Sequence, residues 1–312
     1  MYHGVINIYK EKGFTSHDVV AKLRGILKQK KIGHTGTLDP DAEGVLPVCL
    51  GKATKLCDLL TEKDKVYETV LLLGKKTDTQ DITGTVLEEK DASGLTEESV
   101  QEAIFSFAGV YNQIPPMYSA LKVGGKKLYE LAREGITVER KARQVTIHKI
   151  VIQKIELPRV YMEVSCSKGT YIRTLCHDIG EKLGTGGCME KLLRTKVERF
   201  QIKDSIHLEE VRELVLSGEL DQVLIPIDEM FSQYRKLTVS ERYEKLLYNG
   251  NALPEKTAGQ ISDSGEIYRI YDRQGTFIGL YQHDEKGQQL KLLKMFWDRN
   301  ENGQKRKNRC SV

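Results

Sequence analysis

The segment Gly33-His34-Thr35-Gly36-Thr37-Leu38-Asp39-Pro40-Asp41-Ala42-Glu43-Gly44 gathers three carboxylates, an imidazole and three glycines into twelve positions. Glycine lets backbone come close to another backbone or a ligand. A carboxylate in such a loop can hold a cation, move a proton or attack an electrophilic carbon. Spacing disposes of several familiar sites. A phosphate loop fails at Gly51-Lys52, because Leu46 stands where the first glycine belongs and Ala53 where the hydroxyl belongs. A calcium loop starting at Asp39 fails because its twelfth position is Leu50 rather than a bidentate Glu. An aspartyl-phosphate site at Asp39 should follow a buried strand, yet residues 31–38 are polar and Gly-rich. A plain Asx-turn at Asp39-Pro40 stays open on this chemistry alone.

Other side chains that could serve such a carboxylate have plain readings when taken singly. A lone arginine such as Arg173 usually makes a surface ion pair, and a strand tyrosine such as Tyr67 usually packs in a core. A loop histidine such as His34 is ordinarily exposed, and Leu193 reads equally well as core. The six cysteines are scattered without a C-x-x-C pair, which argues against a structural metal and for free, mostly buried thiols.

These side chains need elements to position them. Val5, Ile6 and Ile8 predict an opening strand, and Thr15 or Ser16 caps a helix with apolar positions at Val19, Val20, Leu23, Ile26 and Leu27. The Gly-rich loop then enters a strand over 45–50. Strands are predicted over 65–73 and 85–88, and Thr96 caps a helix to about 107. Ile114-Pro115-Pro116 opens a basic insertion with a Gly124-Gly125 turn and a helix to Arg133. Strands return over 144–155 and 160–167, followed by helices over 171–182, 208–216 and 239–248. Short strands at 267–271, 276–281 and 290–295 predict a small β-rich module, and the polar tail from 300 predicts disorder.

Composition is that of a soluble globular chain, with 39% hydrophobic and 29% charged residues. No apolar run approaches the ~20 residues that span a bilayer. Residues 1–12 lack a secretory signal, so a cytoplasmic protein is expected. The net charge is +4, but its placement says more. Residues 19–38 hold five basic side chains and no acid, and residues 117–149 hold eight against three. Residues 203–229 reverse this, with eight acids and two bases. One basic and one acidic side are expected, and a basic face attracts phosphates without reading sequence.

Gly36-Thr37-Leu38-Asp39-Pro40-Asp41-Ala42-Glu43-Gly44-Val45-Leu46 resembles the aspartate motif of the TruB family of tRNA pseudouridine synthases, G-x-L-D-P-x-A-x-G-x-L. Further landmarks follow in order. Lys65-Val66-Tyr67 with Leu73-Gly74 is similar to the family's tyrosine strand, and Thr77-Asp78-Thr79-Gln80-Asp81 with Gly84 to the next turn. Pro115-Pro116-Met117-Tyr118-Ser119-Ala120 with Lys122 resembles the opening of its thumb-like insertion. Gly169-Thr170-Tyr171-Ile172-Arg173-Thr174-Leu175 resembles its arginine motif, and Leu193-Arg194-Thr195 the segment beyond. The match spans residues 3–230, with two departures: Glu11 where Pro is frequent and Glu198 where Gly is common.

This resemblance implies an α+β fold around a largely antiparallel sheet, with a catalytic domain over 1–235 and a thumb over about 115–143. A small PUA-like module over 236–300 and a basic tail over 301–312 follow. It implies conversion of a uridine, most often uridine 55 of the tRNA T loop, to pseudouridine, with no cofactor, metal or obligatory protein partner. Asp39 would be the nucleophile, Arg173 would pair with it and lower its pKa, and Tyr67 would stack on the base. His34 would fill the stack vacated by the flipped uridine, and Leu193 would wall the cavity. Gly36, Thr37, Leu38, Tyr171 and Asp81 would shape the substrate pocket. Lys122, Lys126 and Lys127 would clamp T-arm phosphates. Two rivals stay open: a non-catalytic tRNA-binding or folding module, and a guide-RNA-dependent subunit of a pseudouridylation particle.

Overall fold

The computed structural model describes residues 1–257 and 265–298, so the tail at 301–312 lies outside the described residues. The chain opens with β1 (Gly4–Lys10), α1 (Ser16–Leu27), β2 (Ile32–His34) and β3 (Glu43–Leu50). Then come α2 (Cys57–Thr61), β4 (Lys65–Leu73) and a small hairpin of β5 (Lys75–Thr77) and β6 (Val86–Glu89). α3 (Glu97–Phe105) and β7 (Gly109–Gln113) precede a second small hairpin, β8 (Lys122–Val123) and β9 (Lys126–Lys127), which leads into α4 (Leu128–Arg133). The long hairpin of β10 (Arg143–Glu156) and β11 (Arg159–Cys166) is followed by α5 (Ile172–Leu183), β12 (Gly187–Val197), β13 (Phe200–Gln201) and α6 (Leu208–Ser217). The last elements are β14 (Arg235–Thr238), α7 (Glu244–Tyr248), β15 (Leu253–Pro254), β16 (Ile267–Tyr271), β17 (Phe277–Asp284) and β18 (Gln289–Met295).

One large sheet runs β1-β3-β12-β4-β11-β10-β7, with β2 added to β3 and β13 to β12. All its pairings are antiparallel except that of β12 with β3. That exception is what builds the site. β12 sets Arg194 opposite Gly44 on one side and opposite Tyr67 on the other. It therefore joins the strand that follows the Asp39 loop to the strand that carries Tyr67.

Local chemistry explains the flanking helices. Thr15 caps α1 with a reciprocal box, its hydroxyl accepting from the Asp18 N–H while Asp18 accepts from the Thr15 N–H. Such a cap contributes about 1 kcal/mol. The apolar stripe of α1, Val19, Val20, Leu23 and Leu27, is buried against Ile6, Ile8 and Leu46 of the sheet. α5 lies on the other cluster, where Ile172, Leu175, Cys176 and Ile179 meet Leu71, Met162 and Val164. It comes very near β12: a Cβ on Gly180 would sit 2.1 Å from the Gly187 nitrogen. Only glycine permits that approach.

A second sheet, β14-β16-β17-β18-β15, forms the C-terminal module. Phe231, Leu280 and Phe296 share a buried cluster with Val5, Val45 and Leu56 of the large sheet and its flank. The helix expected over 239–248 is shorter than its apolar spacing suggests. Val239 is fully buried and its N–H continues the sheet by donating to the Tyr271 carbonyl, so a single 3-10 turn and the five-residue α7 remain. Five cysteines are free thiols, four of them buried. Among the described residues no helix is long and apolar enough to cross a membrane.

Candidate active site

Asp39 opens a tight turn whose closing bond runs from the Ala42 N–H to the Asp39 carbonyl at 3.1 Å. Pro40 occupies the second corner, which its fixed φ favours. Because backbone closes the turn, the Asp39 carboxylate is left for a tertiary partner. That partner is Arg173, at the second position of α5. Its Nη2 donates to Asp39 Oδ1 at 3.0 Å while Nε lies 2.9 Å from Oδ2, a two-pronged pairing. The plain Asx-turn and the surface ion pair are both set aside: the guanidinium is 6% exposed and the aspartate side chain 37%.

The arginine is held from every side. Nη1 donates to the Thr79 carbonyl at 3.1 Å and Nη2 to the Tyr118 carbonyl at 2.9 Å. Asp81 stands behind it, Oδ2 lying 3.9 Å from Nε. The other Asp81 oxygen accepts from the Thr79 hydroxyl and from the Thr83 N–H and hydroxyl. The start of α5 is pinned by Gln113, which accepts from the Tyr171 N–H at 2.8 Å and donates to the Tyr171 carbonyl at 3.0 Å.

The expectation that Arg173 brings the Asp39 pKa down is met only in part, because the net direction is upward. Burial in the cleft pushes the carboxyl up, Arg173 pulls it down, and the neighbouring Asp81 charge pushes it up again. Tyr67, 8% exposed, is likewise pushed up by burial, with the Arg194 guanidinium pulling against it. His34 is pushed down by burial first and then by His17 and Arg194. Its Nδ1 accepts from the Gly36 N–H at 3.3 Å, and its ring meets His17 edge-on at 5.2 Å.

Two family models match this chain, one described as TruB family pseudouridylate synthase (N terminal domain) over 24–172 and one as tRNA pseudouridylate synthase B C-terminal domain over 173–232. A protein named tRNA pseudouridine synthase B from Lachnoclostridium phytofermentans is 56% identical, over 94% of this chain and 99% of its own. One of the same name from Clostridium perfringens (strain SM101) is 48% identical, over 93% and 98%. The chain belongs to the TruB family of pseudouridylate synthases.

The fold agrees with that membership. The chain matches a solved "Cbf5-Nop10-Gar1 Complex" with a TM-score of 0.70 at 26% identity, covering 96% of this chain and 86% of that one. A match to an "H/ACA RNP bound to a substrate RNA containing 2'-deoxyuridine" has the same TM-score and coverage at 24% identity, and shows the fold.

Within this TruB-family chain the predicted site residues are not all equally near one another. Leu38 and Tyr67 lie in one buried cluster, and the Leu38 N–H donates to the Ser16 hydroxyl at 2.9 Å. Gly36 sits beside the Arg194 guanidinium and Thr37 is exposed. Leu193 is half-buried opposite Glu43 and Glu68, whereas its neighbour Leu192 packs on the cluster containing Tyr67. Tyr171 is half-buried immediately before α5. Lys122 and Lys126 are exposed on the small hairpin, Lys126 pairing with Glu134 at 3.3 Å. Lys127 donates to the Tyr129 hydroxyl at 3.1 Å and lies 5.3 Å from that ring.

The sequence assigns no role to two residues of the site. Lys10 is fully buried and donates to the carbonyls of Pro40, at 3.1 Å, and Ala42, at 2.5 Å, straddling the Asp39 turn. Burial pushes its pKa down to about 8, against the opposing pull of Asp39 and Glu43. Arg194 is the other, 1% exposed. Both lie in strands, where a charged residue reads as solvent-facing, and only tertiary pairing shows otherwise.

Proposed function

We propose that this chain converts uridine 55 in the T loop of tRNA to pseudouridine, with Asp39 as the nucleophile. The observation that carries this reading is the two-pronged Asp39–Arg173 pair beside the buried Tyr67. Uridine isomerisation breaks the N1–C1′ bond, turns the base and forms C5–C1′; the C5 hydrogen leaves and N1 gains one. No electron or group donor is consumed. What the reaction needs is a carboxylate that bonds covalently and departs again. Asp39 suits that at either C1′ of the sugar or C6 of the base.

Arg173 keeps the carboxylate ionised against the pull of burial and fixes which oxygen faces the substrate. Tyr67 offers a flat apolar face to the uracil and a hydroxyl for proton handling. The uridine must leave the RNA stack to reach them, and His34, neutral at physiological pH, is suited to fill the gap. Leu193, with Leu38, excludes water, while Gly36, Thr37, Tyr171 and Asp81 shape the rim.

The insertion at 115–143 serves as the thumb on the T arm, carrying Lys122, Lys126 and Lys127 towards phosphate. Support comes from its base, which Arg140 closes by donating to the Pro115 carbonyl at 3.0 Å. Residues 1–235 act as the catalytic domain and 236–300 as an appended RNA-facing module. A stand-alone cytoplasmic enzyme is part of this reading, supported by full-length relatives that are named as tRNA enzymes.

Chemical mapping of pseudouridine in tRNA transcript, treated with purified wild-type or Asp39→Asn protein alone, tests it. Modification at uridine 55 by wild-type only is expected. No modification by the wild-type protein with tRNA binding intact would leave a binding module, and activity only on adding a guide RNA would leave a particle subunit.

A further inference from the structure

Arg194 is among the largest fully buried side chains of the described molecule. Unlike Arg173, it has no carboxylate within 4.0 Å among the described residues. Burying an unmatched guanidinium is costly, so its donors must be satisfied by something the fold needs held. Nε donates to the Val45 carbonyl at 2.7 Å and Nη2 to the Gly36 carbonyl at 3.5 Å, the two sides of the Asp39 loop. Its cross-strand partner is Tyr67, and directly opposed residues project to the same face. Two buried side chains, the Arg194 guanidinium and the Tyr67 phenol, thus share one face, near enough for the charge to act on the phenol. The backbone is locked as firmly: Gly44 has φ +105°, and a Cβ on it would lie 2.2 Å from the Arg194 carbonyl oxygen. Arg194 thus cannot slide relative to the loop.

We propose that Arg194 is a positioning residue for the isomerisation, holding the Tyr67 phenol and the Asp39 loop in one fixed relation to the target uracil. This rests on the reading of Tyr67 as the residue that meets the base. A guanidinium only donates hydrogen bonds. Set beside Tyr67 on that face, its positive charge favours the phenol with its oxygen towards the arginine and its hydrogen turned away. The same fork, through Gly36 and Val45, sets where the loop places Asp39. Lysine carries the charge but not the fork, so Arg194→Lys is not a conservative change here.

The test is a double-substitution cycle of Arg194→Gln with Tyr67→Phe, read as single-turnover tritium release from tRNA carrying 5-tritiated uridine. Filter-binding affinity for tRNA and the thermal midpoint are measured alongside. Arg194→Gln is expected to slow turnover about a hundredfold, the scale of an ångström of misplacement, with tRNA affinity changed less than about threefold. In the Tyr67→Phe background the same change should cost less than about tenfold, because the phenol it orients has lost its hydroxyl. Equal cost in both backgrounds overturns the proposal, as does a loss confined to tRNA affinity. If Arg194→Gln does not fold, Arg194→Lys replaces it in the cycle with the same criterion. An inactive wild-type protein would instead defeat the functional reading, and an additive cycle with an active wild type defeats only the role of Arg194.

Discussion

The cleft and the small hairpin of residues 122–127 handle charge in opposite ways. In the cleft, Arg173 is almost wholly enclosed and each of its nitrogens has a defined acceptor. On the hairpin, Lys126 is 58% exposed and shares only a loose pair with Glu134. A surface pair of that kind contributes at most about 1 kcal/mol and is readily exchanged for a phosphate. An enclosed, fully coordinated guanidinium holds one geometry. The division suggests that rate resides in the cleft and affinity on the hairpin, and substitutions in each should move one quantity and spare the other.

Asp39→Asn should have the largest effect, slowing turnover by roughly 10⁴-fold or more, the scale expected on removing a nucleophile. Its tRNA affinity should stay within about tenfold, since binding is spread over many phosphates. A large drop in affinity would break the division.

Arg173→Met should slow turnover by roughly a hundredfold at neutral pH and shift its pH dependence. As the proposed nucleophile Asp39 would act ionised, and burial holds its carboxyl above the ordinary value. Rate is therefore lost as pH falls through that raised value, at higher pH than the ~4 of a free aspartate. Removing Arg173 removes the downward pull and should move the acid limb up. Asp81→Asn removes an upward push and should move it down. Limbs moving the other way would show that Asp39 does not titrate in turnover.

Lys126→Glu with Lys127→Glu should weaken tRNA binding about tenfold while leaving the rate at saturating tRNA unchanged. The salt dependence of log Kd should flatten by up to about two units of slope, one for each phosphate that no longer meets a lysine. An unchanged slope would remove the hairpin from the interface.

Glu198→Gly should do least and touch neither quantity. Glu198 has φ +51°, the left-handed region, between β12 and β13. Relieving it by glycine should raise stability by at most about 1 kcal/mol, read as a small rise in thermal midpoint.

Much of this molecule is legible in its sequence, for identifiable reasons. The opening strand, the capped α1, the tyrosine strand and the long hairpin read correctly because their apolar period or capping residues are local signals. β12 does not read as a strand: Glu190, Lys191 and Arg194 interrupt its apolar pattern, and two register shifts against β4 break its alternation. Its place in the middle of the sheet is a tertiary fact. Motif resemblance points to Asp39 and Arg173 separately, 134 positions apart, and only folding shows that they touch. Lys10 and Arg194 escape because a buried cation is rare enough that strand pattern argues against it.

The family preference for glycine near Glu198 now has a backbone cause, while Glu11, standing where proline is frequent, meets His207 at 2.8 Å instead.

One bond reaches beyond local geometry. The Tyr118 carbonyl at the root of the basic insertion accepts from the same Arg173 nitrogen that donates to Asp39. The Asp39 carboxylate and the insertion thus share one arginine nitrogen, with no slack beyond the stretch of a hydrogen bond. A shift of that root by an ångström must either drag the arginine off the aspartate or release it, so a movement of the insertion is felt at the Asp39 carboxylate.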